Sequence, residues 1–224
     1  MRIGVVNAGN IGRTLSRAWL DAGHELLLAK DGSQAKLDAF AEAYPSVRRG
    51  TPSEAAAFGE VILFSVYWPR LDAILAEIGS LAGKVVIDTM NPLQVGGGFE
   101  HSHDKAFMAQ SSTTEELQRR CPAASVVKAF NTMASDLLNQ NRWRETQSRP
   151  PVFLAGDDPV AKATVTELAK DAGFEAVDTG PSTSARSIEQ LGILMHLIAD
   201  STFDGDLTRL APAVLVAPEP DITT

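Results

Sequence analysis

Short apolar runs alternate along the chain with longer segments whose apolar residues recur at helical spacing. Runs at residues 3–6, 26–28, 61–66, 85–87, 126–129, 152–155 and 175–177 each predict a strand. The first, third and fourth are nearly continuous in apolar residues, the pattern of strands covered on both faces in a mostly parallel sheet. Between them, helices are predicted at 11–22, closed by Gly23, at 33–43, closed ahead of Pro45, and from Asp158-Pro159 to Gly173. A further helical pattern runs over 187–198, and Pro212, Pro218 and Pro220 then mark an irregular tail. Residues 91–107 carry Gly96-Gly97-Gly98 and neither periodicity, which predicts one long irregular loop, a candidate lid or docking surface. Strands alternating with helices define the α/β class.

Composition narrows the function. The 224 residues suit one compact unit with a small appended element, and a net charge of −8 leaves no basic field for nucleic acid or an anionic membrane. Any anionic ligand must therefore be held locally. The single cysteine, Cys121, forms no internal disulfide, and the N-terminal run reaches Asn7, Asn10 and Arg13 too soon for a secretory signal or a membrane span. The expectation is a cytoplasmic protein.

A local anion site is offered by Ile3-Gly4-Val5-Val6-Asn7-Ala8-Gly9-Asn10-Ile11-Gly12, a buried strand turning into a helix. It follows the dinucleotide fingerprint except at its first glycine, which is Asn7, a residue that tolerates turn angles. Gly9 and Gly12 keep the roles of close backbone approach and helix–strand packing, and the helix from Ile11 aims its free N–H groups at a diphosphate. At the end of the second strand stand Lys30 and Asp31. A carboxylate there suits the ribose of NAD, whereas a cation suits the 2′-phosphate of NADP. With Ser33 and Lys36 nearby, the residues leave both cofactors open, and Lys36 by itself reads as part of a solvated helix face.

Taken together, Asn7 to Gly12, Gly23-His24-Glu25, Asp88-Thr89-Met90-Asn91-Pro92-Leu93, Lys128-Ala129-Phe130-Asn131-Thr132, Ala155-Gly156-Asp157-Asp158 and Asp178-Thr179-Gly180-Pro181 leading to Ala185-Arg186 give a resemblance. Over residues 1–199 the chain resembles the deazaflavin-dependent NADP oxidoreductase family, whose founding members exchange hydride between NADP and coenzyme F-420. The resemblance implies a Rossmann-type, doubly wound, mostly parallel sheet over 1–180, a small C-terminal helical portion with its tail over 181–224, and a homodimer. It implies that Ser65, Val66 and Tyr67 border the cofactor, with Trp68 and Pro69 following. It places Asn91 and Pro92, with Ala129, Phe130 and Asn131, at neighbouring strand ends beside the nicotinamide. Asn131 could hydrogen-bond a carboxamide or cap the local turn. The family has glycine at the position of Asn7 and a Ser-Arg pair where this chain has Lys30-Asp31.

The cofactor expected is NADP, with NAD as the alternative, and the partner is a small redox acceptor, F-420 or a flavin. Transfer between two bound heterocycles asks mainly for positioning and exclusion of water, so no catalytic acid or base is assigned. For an imine or ketone acceptor a proton donor is needed, and His101, His103, Tyr67 and His196 are candidates. His101, His103 and Asp104 could in principle ligate a metal, but they read as a loop cluster and no metal site is assigned. A non-catalytic dinucleotide sensor is the reading of a different class.

Overall fold

A computed structural model describes residues 1–30, 33–95, 101–146 and 149–217. In chain order the elements are β1 (Arg2–Val5), α1 (Asn10–Asp21), β2 (Glu25–Ala29), α2 (Gln34–Ala43), β3 (Arg48–Gly50), α3 (Pro52–Phe58) and β4 (Val61–Phe64). There follow α4 (Leu71–Ile78), β5 (Val85–Asp88), β6 (Leu93–Val95), β7 (His101–His103), α5 (Lys105–Met108), α6 (Thr113–Arg120), β8 (Ser125–Lys128), β9 (Val152–Leu154), α7 (Pro159–Asp171), β10 (Ala176–Asp178) and α8 (Ala185–Thr202).

Six strands form one parallel sheet in the order β3-β2-β1-β4-β5-β8. This is the doubly wound order that the family resemblance implies, and its direction reverses between β1 and β4. Ligands of such sheets sit in the crevice outside the strand ends at that point. β4, Val-Ile-Leu-Phe, is buried at all four positions, because helices cover both faces. On one face, Trp19 of α1 is fully buried and its indole N–H donates to Leu168 O at 2.9 Å, fixing α1 against α7. Local chemistry starts the helices: Ser33 caps α2, Asp158 caps α7, and Thr51 with Glu54 forms a reciprocal capping box on α3.

Several elements depart from the pattern-based expectation. The third predicted strand stops at Phe64, so Ser65 and Val66 lie beyond it and face the crevice. Arg48-Arg49-Gly50 carries no apolar signal, yet it pairs with β2 as the exposed edge strand. The stretch 91–107 is not one irregular loop: β6 and β7 pair antiparallel, Leu93 opposite His103, and α5 follows. Three residues per strand are too few for periodicity to register, but pairing them satisfies backbone groups that a loop would leave to water. Gly96-Gly97-Gly98 fall outside the described residues. β9 and β10 form a separate parallel pair, joined to β8 through an antiparallel bridge between Lys128 and Ala155.

Candidate active site

The turn from β1 into α1 forms the anion corner. Gly9 is the helix N-cap without a side-chain cap, and the first helical bond runs from Arg13 N–H to Gly9 O at 3.0 Å. The N–H groups of Asn10, Ile11 and Gly12 therefore have no acceptor within the helix, and Asn10 and Ile11 line the crevice, an arrangement that suits an anion. Gly12 is required for close packing, since a Cβ there would lie 2.7 Å from Asn7 O and 3.1 Å from Val5 Cγ1. Asn7 replaces the first glycine for a different reason than backbone freedom. Its φ is not positive; its side-chain N–H donates to Ser65 O at 2.5 Å, tying the turn to the end of β4. Ala8 N–H donates to Ala29 O at 2.8 Å, and the Arg13 guanidinium holds Ala8 O at 2.5 Å and Asn10 Oδ1 at 2.9 Å.

From this corner a cleft of about 370 Å³ runs across the strand ends. Of the residues expected at a site, Asn7, Gly9, Asn10, Ile11, Ser65, Val66, Tyr67, Asn91 and Asn131 line it. Ala8, Ala129 and Phe130 are instead packed in the core, and Gly12 and Pro92 support the wall from behind. Lys30 is exposed and off the lining, and Asp31 lies outside the described residues. Sequence reasoning missed Thr89, Met90 and Leu93 as site residues, together with 132–135 and, on the far wall, Gly192, Met195 and Leu207; Lys36 and His196, named above as a nearby cation and a candidate proton donor, line the cleft as well. Thr89, Met90 and Thr132 stood inside the motifs already noted; nothing in the helical pattern of α8 showed which face it turns to the cleft.

Phe130 acts through its backbone. Its φ of +60° is costly for a bulky residue, and its ring is locked edge-on to Trp19 at 6.2 Å. The sharp turn after β8 brings Asn131 and Thr132 into the cleft while the ring stays in the core. There Asn91 and Asn131 face each other: Asn91 Nδ2 donates to Asn131 O and Asn131 Nδ2 to Asn91 Oδ1, both at 2.9 Å. Asn131 Oδ1 is buried with no hydrogen-bond partner among the described residues, an acceptor in search of a donor. α8 closes on this pair at Gly192, where a Cβ would lie 3.2 Å from Asn91 Oδ1. Trp68 stacks on Phe107 at 4.5 Å between ring centres, joining the wall after β4 to α5.

Beneath the amide pair lies a buried charge cluster. Lys128 Nζ meets Asp88 Oδ2 at 2.8 Å, Glu189 Oε1 at 2.9 Å, Thr113 Oγ1 at 2.6 Å and Met90 O at 2.7 Å. Thr113 and Thr114 hydroxyls also donate to Asp88 Oδ2, each at 2.8 Å. Burial pulls the Lys128 pKa down, but Asp88 and Glu189 more than offset it and hold it above the ordinary value. Burial pushes Glu189 up, against the attraction of Lys128. Asp88 and Lys128 were read as parts of motifs, whereas Glu189 had no signal beyond its place in a helix.

His103 and His196 stand edge to face, 6.0 Å between ring centres, and the side chain of His101 is outside the described residues. Among the described residues no group of three or more histidine, cysteine, aspartate or glutamate side chains could hold a metal, and no helix is long and apolar enough to cross a membrane.

Fold, phosphate corner and cleft are those of the Rossmann-type NAD(P)-dependent oxidoreductases. The resemblance carried by the ordered motifs is borne out: residues 2–92 match the family described as NADP oxidoreductase, coenzyme F-420-dependent. The crystal structure of a candidate F-420-dependent NADP reductase from Arthrobacter sp. FB24 superposes with a TM-score of 0.80 at 29% identity, covering 91% of this chain and 96% of that one. The metalloreductase STEAP3 of Rattus norvegicus is 27% identical over 191 residues, which are 85% of this chain and 36% of the relative, so the chain spans little over a third of that protein. A reductive aminase from Aspergillus terreus in complex with NADPH and ethyl levulinate shares the fold, with a TM-score of 0.63 at 17% identity over 89% of this chain and 62% of that one.

Proposed function

We propose that this chain is an oxidoreductase that binds NADP(H) across the strand ends and exchanges hydride with a second bound heterocycle, coenzyme F-420 or a flavin. The observation that carries the reading is the continuity of the cleft. It starts at the free amides of α1 and ends on a wall from α8 that the dinucleotide fold does not itself need. The residues present fit the cofactor: Gly9, with no side chain, lines the corner where α1 begins, and Asn131 Oδ1, which has no hydrogen-bond partner among the described residues, can accept from a carboxamide N–H. When bound, the nicotinamide supplies the hydride. The chain's own work is positioning. Gly9, Asn10 and Ile11 hold the diphosphate, the Asn91–Asn131 pair orients the ring, and Val66, Trp68, Met90 and Met195 keep water from the transfer site. Lys36 lines the β2 side of the cleft, where the 2′-phosphate of NADP would lie, and so supports NADP over NAD. The family match and the Arthrobacter structure support the acceptor class.

Titrating the protein with NADPH and NADH, followed by turnover with 5-deazariboflavin, FMN and F-420, tests the reading. Tighter binding of NADPH and its oxidation only in the presence of an acceptor are expected. Tight binding with no oxidation by any acceptor would refute it in favour of a dinucleotide sensor.

A further inference from the structure

Reduction of a neutral C=N heterocycle by NADPH consumes one proton as well as the hydride, and the positioning groups named above do not donate one. Among the described residues that line the cleft, the titratable side chains are Lys36, Tyr67 and His196. Lys36 belongs to α2, beyond the end of β2. Asn91 and Asn131 follow β5 and β8, and β2 and β5 are three strand spacings apart, about 14 Å. Tyr67 is 59% exposed at the rim. His196 stands on the far wall. It lies four residues after Gly192, hence on the same face of α8 and roughly 6 Å further along the axis. Gly192 abuts the Asn91–Asn131 pair, so His196 stands one turn from the groups that orient the nicotinamide, with the His103 ring edge-on to it. An imidazole is the side chain that gains and loses a proton near neutral pH.

We propose that His196 is the catalytic acid of this cleft, and that its acceptors are neutral C=N compounds, isolated or conjugated, that take up a proton together with the hydride. The inference rests on the hydride-transfer reading above. The C4–H bond of the reduced nicotinamide breaks, and the hydride bonds to the carbon of the C=N group or to the far carbon of the system conjugated with it. The displaced electron pair settles on nitrogen, and that nitrogen takes the proton from the His196 imidazolium. The neutral imidazole is then recharged from water.

The test uses the full chain with His196→Asn and His196→Gln, which keep a hydrogen-bonding side chain but cannot donate in this way. Melting temperature and NADPH affinity are checked first and are expected to match wild type. Turnover of 5-deazariboflavin and of 2-methyl-1-pyrroline is expected to fall about 10²–10⁴-fold, the contribution of a general acid. Turnover of the 1,2-dimethyl-1-pyrrolinium cation, which accepts hydride without a proton, is expected to hold. Independently of activity, the His196 ring proton resonance, assigned by its absence from His196→Asn, is expected to move when 5-deazariboflavin is added to NADP⁺-saturated protein. Equal losses with both pyrroline substrates, unchanged turnover in the variants, or an unmoved resonance would overturn the assignment of His196 alone. A wild type that reduces no acceptor would overturn the hydride-transfer reading and this inference with it.

Discussion

Replacing Lys128 with methionine tests the buried cluster most directly. Its ammonium is fully buried and lies within 2.9 Å of Asp88, Glu189, Thr113 and the Met90 carbonyl. Methionine fills the stem's volume but leaves two carboxylates facing each other with hydroxyl and backbone donors only. Breaking a buried pair from one side costs about 3–5 kcal/mol, against a total stability of about 5–15 kcal/mol for a typical domain. At about 2–4 °C per kcal/mol, the melting temperature falls by roughly 6–20 °C. Glu189→Gln acts in the opposite sense. One ammonium faces two carboxylates, and Glu189 Oε2 is buried with no hydrogen-bond partner among the described residues. Removing the surplus charge costs less than about 1 kcal/mol and can stabilise. The sign with pH follows from the raised pKa of Glu189. The folded chain retains a proton that the unfolded chain releases near 4.5, so wild type loses stability as pH rises from there through the folded pKa. The glutamine variant does not, and its advantage over wild type grows with pH. Thermal and urea denaturation followed by circular dichroism between pH 4 and 8 measure this. A Lys128→Met protein melting within about 2 °C of wild type, or a Glu189→Gln protein as damaged as Lys128→Met, would refute the reasoning.

Lys36→Ala is expected to weaken NADPH binding about tenfold, about 1.4 kcal/mol, while leaving NADH nearly unchanged, as read by fluorescence titration. Gly12→Ala forces its Cβ to 2.7 Å from Asn7 O and should lose both dinucleotide affinity and about 1–3 kcal/mol of stability, measured by titration and urea unfolding. Gly192→Ala meets Asn91 Oδ1 at 3.2 Å and displaces α8 slightly, so the KM for the acceptor should rise while NADPH affinity holds. Glu116 is held at about 2, chiefly by its hydrogen bond to Arg119 and then by Arg120. Its stabilisation is present above the ordinary carboxylate value of 4.5 and is lost as pH falls toward 2. With Arg119 largely exposed it amounts to at most about 1 kcal/mol, and Glu116→Gln should flatten the acid side of the stability profile by that much.

The parts of the fold legible in the sequence are those whose cause is local. Val61 to Phe64 reads as a covered strand because all four side chains are apolar, and Asp158-Pro159 announces α7 because the cap and the proline act on adjacent residues. Arg48-Arg49-Gly50 is a strand because β2 lies beside it, which no window around it reveals. At the site, the glycines of the α1 turn were legible for the same local reason. The function of Asn7 was not, since its partner is the carbonyl of Ser65, 58 residues away. Lys36 looked like a solvated helix position until α2 was placed beside the cleft. Glu189 draws its partners from two distant elements, Thr113 on α6 and Lys128 on β8.

Those distant contacts share one spacing. Asp88 and Asn91, Lys128 and Asn131, and Glu189 and Gly192 are each three residues apart. The first of each pair enters the buried charge cluster, and the second enters or abuts the amide pair in the cleft. β5 and β8 are thus fastened twice, by charge below and by amides above, while α8 joins the charge cluster through Glu189 and packs on the amide pair at Gly192. The lower fastening is fully buried and ties α8 to β8 and α6 through Glu189; the upper contact lies on the cleft wall. A shift of α8 would move Gly192, Met195 and His196 together, because they sit on one rigid helix. The cleft's far wall therefore depends on Lys128 and Glu189, which never reach it. Lys128→Met should accordingly impair acceptor use even under conditions where the protein remains folded, while the anion corner at α1, held by Asn7 and Arg13, keeps its grip on the dinucleotide.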